Sequence, residues 1–375
     1  LSVTAFAADD VVPQRADIDD QYKWRVQDIY PSDEAWEAAF ASLEKSDGMF
    51  DVYRGRLGES ADVLLECLTR RDSLGLIIDN LYVYAYLRLD EDNRVSKYQE
   101  MGGRIGQLSS RLSEGMAFIQ PEIIAVGREK IFGFIDANPA LKPYRHYMDD
   151  LFRQQQHILS DKEEALLALA GPATGGASDI FNMLDNADID YGSVTDSTGQ
   201  VIELSKERVY KLLDSPDRDL RRRVSDQYNG TCLKYQNTLA AALAASVKTD
   251  WFYAQARGYK TCLEASLDNY NIPVDVFHNL LKAVNENLAP LHKWASLRKR
   301  ILGVDTLFTY DLGVPLGLES EQTFTWDQAR EIVGKGLKPL GDRYLADLNT
   351  GLTSGWVDVY ETQGKGSGAY SWGTY

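Results

Sequence analysis

The sequence is poor in the residues that form metal sites, disulfide frameworks and nucleic-acid surfaces. Its 375 residues include only four histidines and three cysteines, and no two cysteines have the C-x-x-C spacing of a zinc site. Acidic residues outnumber basic ones by 56 to 40, giving a net charge of −16 with no long basic run to offset it. This charge argues against nucleic acid and anionic membrane surfaces as partners.

Membrane spans and disulfide bonds are not indicated either. No apolar run in the sequence approaches the ~20 residues that a membrane-spanning helix needs. The cysteines are odd in number and scattered, so we predict buried or unreactive thiols at Cys67, Cys232 and Cys262. Hydrophobic residues make up 44% of the chain, and its length predicts two or three substructures rather than one compact core.

Residue spacing alone identifies no complete catalytic motif. No histidine has a second histidine or a cysteine three or four residues away, so no helix presents a metal-binding pair; the histidines are His146, His157, His278 and His292. The glycine-rich run Gly364–Gly368 lacks the spacing of a phosphate-binding loop, and no G-x-S-x-G elbow occurs. These patterns predict surface or packing roles for the histidines.

The first residues have the pattern of a secretory cleavage site. Leu1 to Ala7 ends in the small-x-small triplet Ala5-Phe6-Ala7, and Ala8-Asp9-Asp10 follows. This pattern predicts the end of a signal peptide at residues 1–7 and a periplasmic or secreted protein. The alternative is an ordinary frayed terminus and a cytoplasmic location.

Most of the chain is predicted to be α-helical. Apolar residues at helical spacing, together with N-cap residues and capping boxes, predict a helix over 61–89 and a long helix over 274–302, kinked at Pro290. A capping box at Ser160 opens another helix, which is expected to end at Gly171-Pro172. The fold class is therefore mainly α.

Two stretches change to the period of a β-strand. Apolar residues flank the turn sequence Asp196-Ser197-Thr198-Gly199, which predicts a hairpin within 187–204. Residues 356–375 alternate apolar and polar side chains and then become rich in glycine and aromatics. We predict a second hairpin there, whose edge can accept an extended peptide as an additional strand.

Eight stretches, taken together, are specific enough to indicate a family. They are YKWRVQDIYPSDEAW from Tyr22, LYVYAYLRLDED from Leu81, IFNMLDNAD from Ile180, AQARGY from Ala254, NIPV from Asn271, AVNENL from Ala283, YDL from Tyr310 and SGAYSWGTY from Ser367. In this order, the chain from about Asp17 onward resembles oligoendopeptidase F, of the thimet-oligopeptidase-like zinc metallopeptidases. The resemblance implies a helical, two-lobed metalloendopeptidase that hydrolyses short peptides in a deep channel.

The resemblance also implies a zinc cofactor. The family carries H-E-x-x-H on a helix and a downstream glutamate ligand, and the glutamate of the motif is the general base. In the family this motif follows the segment that matches Ser367–Tyr375. This chain therefore is expected to be a fragment with no metal ligand and no catalytic residue, and to be inactive alone.

The substrate-binding residues implied by the resemblance lie in the glycine-rich segment. They are Gly366, Ser367, Gly368, Ala369 and Tyr370. In the family this segment lies beside the metal helix, where substrate backbone pairs with it. The alternative reading of the chain is a complete, non-catalytic helical protein that binds peptides or partners.

The predicted organisation has four parts. After the predicted signal remnant at 1–7, residues 8–120 are expected to form an N-terminal helical domain. Residues 121–204 form the helical region with its hairpin that is typical of oligopeptidase F. Residues 205–375 form the first part of a peptidase catalytic domain, which is incomplete here.

Overall fold

The computed structural model describes residues 11–316 and 324–374, which form a mainly α-helical chain, as predicted. The α-helices of this part are α1 (Asp33–Glu44), α2 (Ala61–Glu91), α3 (Ser96–Met116), α4 (Ile119–Val126), α5 (Arg128–Ala137), α6 (Arg145–Arg153), α7 (Asp161–Met183), α8 (Lys206–Leu213), α9 (Arg218–Lys234), α10 (Gln236–Ala256), α11 (Cys262–Asp268), α12 (Val274–Glu286), α13 (Leu288–Leu302), α14 (Trp326–Gly336) and α15 (Asp342–Thr353). The predicted signal segment, residues 1–7, lies outside the described residues. None of the helices in these ranges is long and apolar enough to cross a membrane.

The N-terminal helices pack around α2. Trp36 of α1 is fully buried, stacks on Phe40 with ring centroids 5.1 Å apart, and donates its indole N–H to the carbonyl oxygen of Leu81 at 2.8 Å. This hydrogen bond satisfies the polar end of a large apolar side chain inside the core. The aromatic run of α2 is largely buried, as its apolar character predicts, and Tyr84 donates its hydroxyl to Asp33 at 2.6 Å.

Two predicted helix boundaries are wrong, and both involve proline. The chain over 274–302 forms two helices, because Asn287 leaves the helical region with φ −114° and ψ 25°. Pro290 lies in the first turn of α13. Backbone N–H groups in that turn have no intrahelical acceptor, so the absence of an N–H at proline costs no hydrogen bond. In contrast, α7 continues through Pro172, and Thr174 donates its hydroxyl to the carbonyl oxygen of Ala170 at 3.1 Å.

The first predicted hairpin is confirmed. Strands β1 (Ser193–Thr195) and β2 (Val201–Glu203) pair antiparallel, with Val194 opposite Ile202. The Asp196 carboxylate accepts the backbone N–H groups of Thr198 and Gln200 at 2.8 and 2.9 Å, which closes the turn.

The second predicted hairpin, at 356–375, is wrong for the described residues, which contain no strand up to 374. The segment is irregular because its backbone bonds to scattered points on other elements rather than to itself. Val359 donates to the carbonyl of Tyr22 at 2.9 Å, Gly366 donates to that of Asp90 at 2.9 Å, and Gly355 accepts from the N–H of Arg25 at 2.7 Å. These contacts tie the segment to the N-terminal residues and to the end of α2.

A buried carboxylate joins α9 to the turn that follows α13. Asp311 is fully buried and accepts hydrogen bonds from Arg218 at 3.0 Å, Arg221 at 2.8 Å and the backbone N–H of Phe308 at 3.0 Å. Burial opposes ionisation, but the hydrogen bonds from these groups outweigh it and lower the pKa of Asp311 to about 2. The YDL stretch therefore has a structural role here.

The AQARGY stretch has a structural role as well. Arg257 makes a bidentate ion pair with Glu164 of α7, with both distances 2.8 Å, and donates to the carbonyl oxygen of His157 at 3.2 Å. His157 stacks on Tyr259 with ring centroids 3.6 Å apart. This cluster connects α7 to the C-terminal end of α10, so His157 serves packing, as predicted.

Candidate functional site

The predicted substrate-binding residues, Gly366–Tyr370, are here called the edge segment. They lie beside the C-terminal end of α2, with the loop after that helix on one side. The N–H of Asn93 donates to the carbonyl oxygen of Gly364 at 2.7 Å, and the N–H of Gly366 donates to that of Asp90 at 2.9 Å. These two backbone bonds fix where the edge segment begins.

Glycine at position 364 allows this close approach. Gly364 has φ +76°, a conformation that side chains with a Cβ rarely adopt, and an added Cβ would overlap the carboxylate of Asp92. Gly368 also has a positive φ, +100°, but an added Cβ there would meet no atom of the described residues within 4 Å. Gly364 thus serves the fold, whereas the space beside Gly368 is open.

Polar side chains from two other elements hold Ser367. Asn186 lies in a π-helical turn, Leu184–Asp188. Its side-chain oxygen Oδ1 accepts hydrogen bonds from the backbone N–H of Ser367 at 3.3 Å and from the Ser367 hydroxyl at 3.0 Å. Lys206, at the start of α8, donates to the Ser367 hydroxyl at 2.9 Å and also pairs with Asp185. Turns of this π type occur often at functional sites.

The last residue of the edge segment is tied to α2. Tyr370 donates its hydroxyl to the carboxylate of Asp90 at 2.6 Å. Burial raises the pKa of Asp90, and the hydrogen bond from Tyr370 opposes that rise. Two residues further on, Trp372 packs against Tyr82 and Tyr86 of α2, at centroid distances of 5.8 and 6.3 Å. Asp90 therefore binds both the first and the last residue of the edge segment.

A buried ionic cluster anchors the chain just before the edge segment. Asp358, whose side chain is 4% exposed, pairs with Arg15 at 2.8 Å and with Lys365 at 2.6 Å. Arg15 also pairs with Glu91 at 3.0 Å, and the indole of Trp24 donates to the same carboxylate at 2.8 Å. Burial disfavours ionisation of Asp358, but its bonds to Arg15 and Lys365 prevail and lower its pKa.

In the described part of the chain, the backbone from Gly368 onward makes no hydrogen bond to other backbone groups. Within the described residues, no backbone–backbone hydrogen bond involves an N–H or carbonyl group of residues 368–374. A backbone with unused donors and acceptors can pair with the backbone of another chain. The segment borders a cavity of about 1210 Å³, large enough for several residues of a peptide.

The sequence predicted the edge segment but not the residues that hold it. The structure brings Asp90, Asn186 and Lys206 onto Gly366–Tyr370 from three distant parts of the chain. Asp90 and Asn186 lie inside the stretches LYVYAYLRLDED and IFNMLDNAD that carry the family resemblance. Their position inside these stretches could have indicated a role for Asp90 and Asn186 at the site, whereas no sequence pattern indicated one for Lys206.

The described residues do not fit a zinc ion. No group of three His, Cys, Asp or Glu side chains in the described ranges is arranged to hold a metal. Three histidines are exposed, and the ring of the fourth, His157, bonds to the carbonyl oxygen of Arg257 at 2.8 Å. The cysteines are free thiols, and burial raises the pKa of Cys67 to about 12. We therefore derive no catalytic step through a metal from these residues.

Comparison with known proteins identifies the family. A family model described as oligopeptidase F matches residues 122–191, and one described as peptidase family M3 matches residues 211–375. The chain is 38% identical to oligopeptidase PepF of Bacillus subtilis over 97% of this chain and 54% of PepF. It is 32% identical to group B oligopeptidase PepB of Streptococcus agalactiae over 96% of this chain and 60% of PepB.

A solved structure agrees with these sequence relatives. Oligoendopeptidase F from Enterococcus faecium superposes with a TM-score of 0.75 and 31% identity, over 85% of this chain and 60% of that chain. Fold and sequence together define an M3-type metallopeptidase chain. Within that class, the chain belongs to the oligoendopeptidase F family, which confirms the resemblance drawn from the eight stretches. It spans 54% and 60% of the lengths of the two curated relatives above.

Proposed function

We propose that this chain forms the N-terminal part of a zinc-dependent metalloendopeptidase that hydrolyses short peptides. In this proposal the edge segment pairs with substrate backbone as an additional strand. The observation that carries it is the free backbone of residues 368–374 beside a cavity of about 1210 Å³. The names of the relatives, oligopeptidase PepF and oligoendopeptidase F, support the substrate class.

The residues of this chain contribute binding and positioning in this proposal. Asp90 holds both ends of the edge segment, and Asn186 and Lys206 hold Ser367, so the segment is fixed in place before a peptide arrives. A preorganised segment loses less conformational entropy when it pairs with a peptide, which strengthens binding. In this proposal the zinc ion is held by residues other than the described ones, which offer no ligand set for it.

Exposed apolar helix faces support a larger protein. Large apolar side chains on α10, α12 and α13 remain exposed to solvent, among them Leu243, Val247, Trp251, Leu280, Val284 and Ile301. Apolar surface of this extent is typical of a face that another protein segment covers. We propose that the remaining part of the peptidase, which the longer relatives possess, packs against these helices.

The first prediction concerns catalysis by this chain alone. The 375-residue chain is expected to show no zinc-dependent cleavage of a quenched fluorescent peptide, because its described residues supply no ligand set for zinc. The assay is run with added zinc and with a chelator, and PepF of Bacillus subtilis serves as the positive control. Cleavage that the chelator abolishes and zinc restores, in a preparation free of other peptidases, would refute this prediction.

Two further predictions from the sequence stay predictions. One is export to the periplasm or medium, with a cytoplasmic location as the alternative, because the residues that indicate it lie outside the described ranges. The other is the division of the chain at residues 120 and 204.

A further inference from the structure

The cationic side chains that line the cavity are already neutralised. Among the described residues, four lysines and arginines border the cavity next to the edge segment. Each has a carboxylate partner; the pairs are Arg25–Asp28, Arg94–Asp92, Lys206–Asp185 and Lys365–Asp358. These cations therefore contribute little net positive charge to the space where a peptide would lie.

Five carboxylates on the same walls have no cationic partner in the described ranges. They are Asp90, Asp188, Asp190, Glu203 and Glu207. Three of them accept only neutral donors: the hydroxyl of Tyr370 for Asp90, the N–H of Gly192 for Asp190 and the N–H of Val12 for Glu203. Asp188 and Glu207 are exposed to solvent. The cavity walls consequently carry a negative charge that the protein does not balance locally.

Two buried polar atoms of the same cavity make no hydrogen bond within the described residues. The side chain of Glu361 is 9% exposed, and its Oε2 atom accepts no hydrogen bond there, although it forms a long ion pair with the Nε of Arg208 at 3.6 Å. Thr362 is 4% exposed, and its hydroxyl likewise has no partner there. Buried polar atoms are almost always hydrogen-bonded in folded proteins. An ammonium or guanidinium group carries several N–H donors and would suit such acceptors.

We propose that this cavity selects peptides with basic side chains, lysine or arginine, over acidic peptides of the same length. The inference rests on the proposed function, because it assigns a substrate class to the same peptide-binding site. Unbalanced carboxylates attract a cationic side chain and repel an anionic one across the cavity. Glu361 and Thr362 add buried acceptors for the N–H donors of such a side chain.

The experiment compares two labelled peptides on the 375-residue chain. The peptides have the same length and sequence, except that two lysines in one are replaced by two glutamates in the other. Fluorescence anisotropy gives the Kd of each peptide at low salt and at about 0.5 M salt. The lysine peptide is expected to bind roughly tenfold more tightly at low salt, and this ratio should shrink at high salt because ions screen the exposed carboxylates.

A double variant tests which charges cause the preference. Asp188→Asn with Glu207→Gln removes two exposed, unpaired charges from the cavity and is expected to reduce the ratio to about threefold. The matched control, Asp47→Asn with Glu129→Gln, removes two exposed, unpaired charges away from the cavity, one in the turn after α1 and one on α5, and should leave the ratio unchanged.

The outcomes separate the two proposals. Equal affinity for the lysine and glutamate peptides would overturn the charge preference and leave peptide binding in place. A preference that both double variants reduce equally would also overturn it, because the cause would then be the net charge of the whole chain. Failure of both peptides to bind would overturn the peptide-binding proposal together with the charge preference.

Discussion

Replacing Asp311 with alanine is expected to lower the free energy of unfolding by about 3–5 kcal/mol, because it leaves a buried cation without its partner. Arg221 is 2% exposed and donates to Asp311 at 2.8 Å, and Arg218 donates to the same carboxylate. The Phe308 N–H also loses its acceptor. Denaturant unfolding of the variant and of the unchanged chain measures the difference.

Asp305→Ala is the matched control for that prediction. Asp305 lies six residues earlier in the same connection, is exposed, and makes no ion pair in the described ranges. Its replacement is expected to change the free energy of unfolding by less than about 0.5 kcal/mol. Equal effects of Asp305→Ala and Asp311→Ala would contradict a structural role for the buried carboxylate.

The lowered pKa of Asp311 also sets how its contribution depends on pH. The folded-state pKa is about 2, below the ordinary aspartate value of 3.8, so the folded chain binds fewer protons than the unfolded chain between these values. The stabilisation is therefore complete above about pH 4 and is lost as the pH falls towards about 2, by about 2 kcal/mol. Asparagine cannot ionise, so the stability of Asp311→Asn should not show this loss. The difference in the free energy of unfolding between Asp311→Asn and the unchanged chain should therefore shrink as the pH falls from about 4 to about 2.

Replacing Gly368 with valine is expected to weaken the binding of a short peptide roughly tenfold or more. Gly368 has φ +100° and an open space where its side chain would be, so its missing side chain leaves room for another backbone. A branched side chain would project into that space and strain the backbone as well. Anisotropy with the labelled lysine peptide measures the affinity, and thermal unfolding of the same preparation measures stability.

Gly368→Ala separates the two causes of weaker binding, which are the side chain that fills the open space and the strain of the backbone at positive φ. Alanine shares the positive-φ strain but adds only one carbon, so it is expected to bind the peptide with intermediate affinity. A large loss of stability in both variants would assign Gly368 to the fold. Binding by the valine variant that matches the unchanged chain would discard the edge segment as a substrate site.

Local signals predicted most of the helical fold. The capping box at Ser160 and the apolar run of 81–87 predicted elements that form almost where expected, because caps and periodicity act within a few residues. The hairpin around Asp196 was also predictable, since a short turn brings its own strands together. Proline was less informative, because its effect depends on where in a helix it lies, as Pro172 and Pro290 show.

The structure around residues 356–374 could not be predicted from local pattern. Alternation of apolar and polar residues there suggests a strand, but a strand needs a partner at the right distance. The partners that the chain offers are single groups on distant elements, such as the carbonyl oxygens of Tyr22 and Asp90. The periodicity of a sequence does not indicate contacts between residues more than 250 positions apart. No sequence pattern predicted the roles of Lys206 and Asp358.

Amide hydrogen exchange at residues 368–370 measures whether peptide backbone pairs with the edge segment. Their N–H groups have no backbone partner in the described ranges, so they should exchange quickly in the free chain. With the lysine peptide at saturating concentration, we expect slower exchange at these amides and no comparable change at β1 and β2. Unchanged exchange at residues 368–370 while the peptide is bound would contradict it.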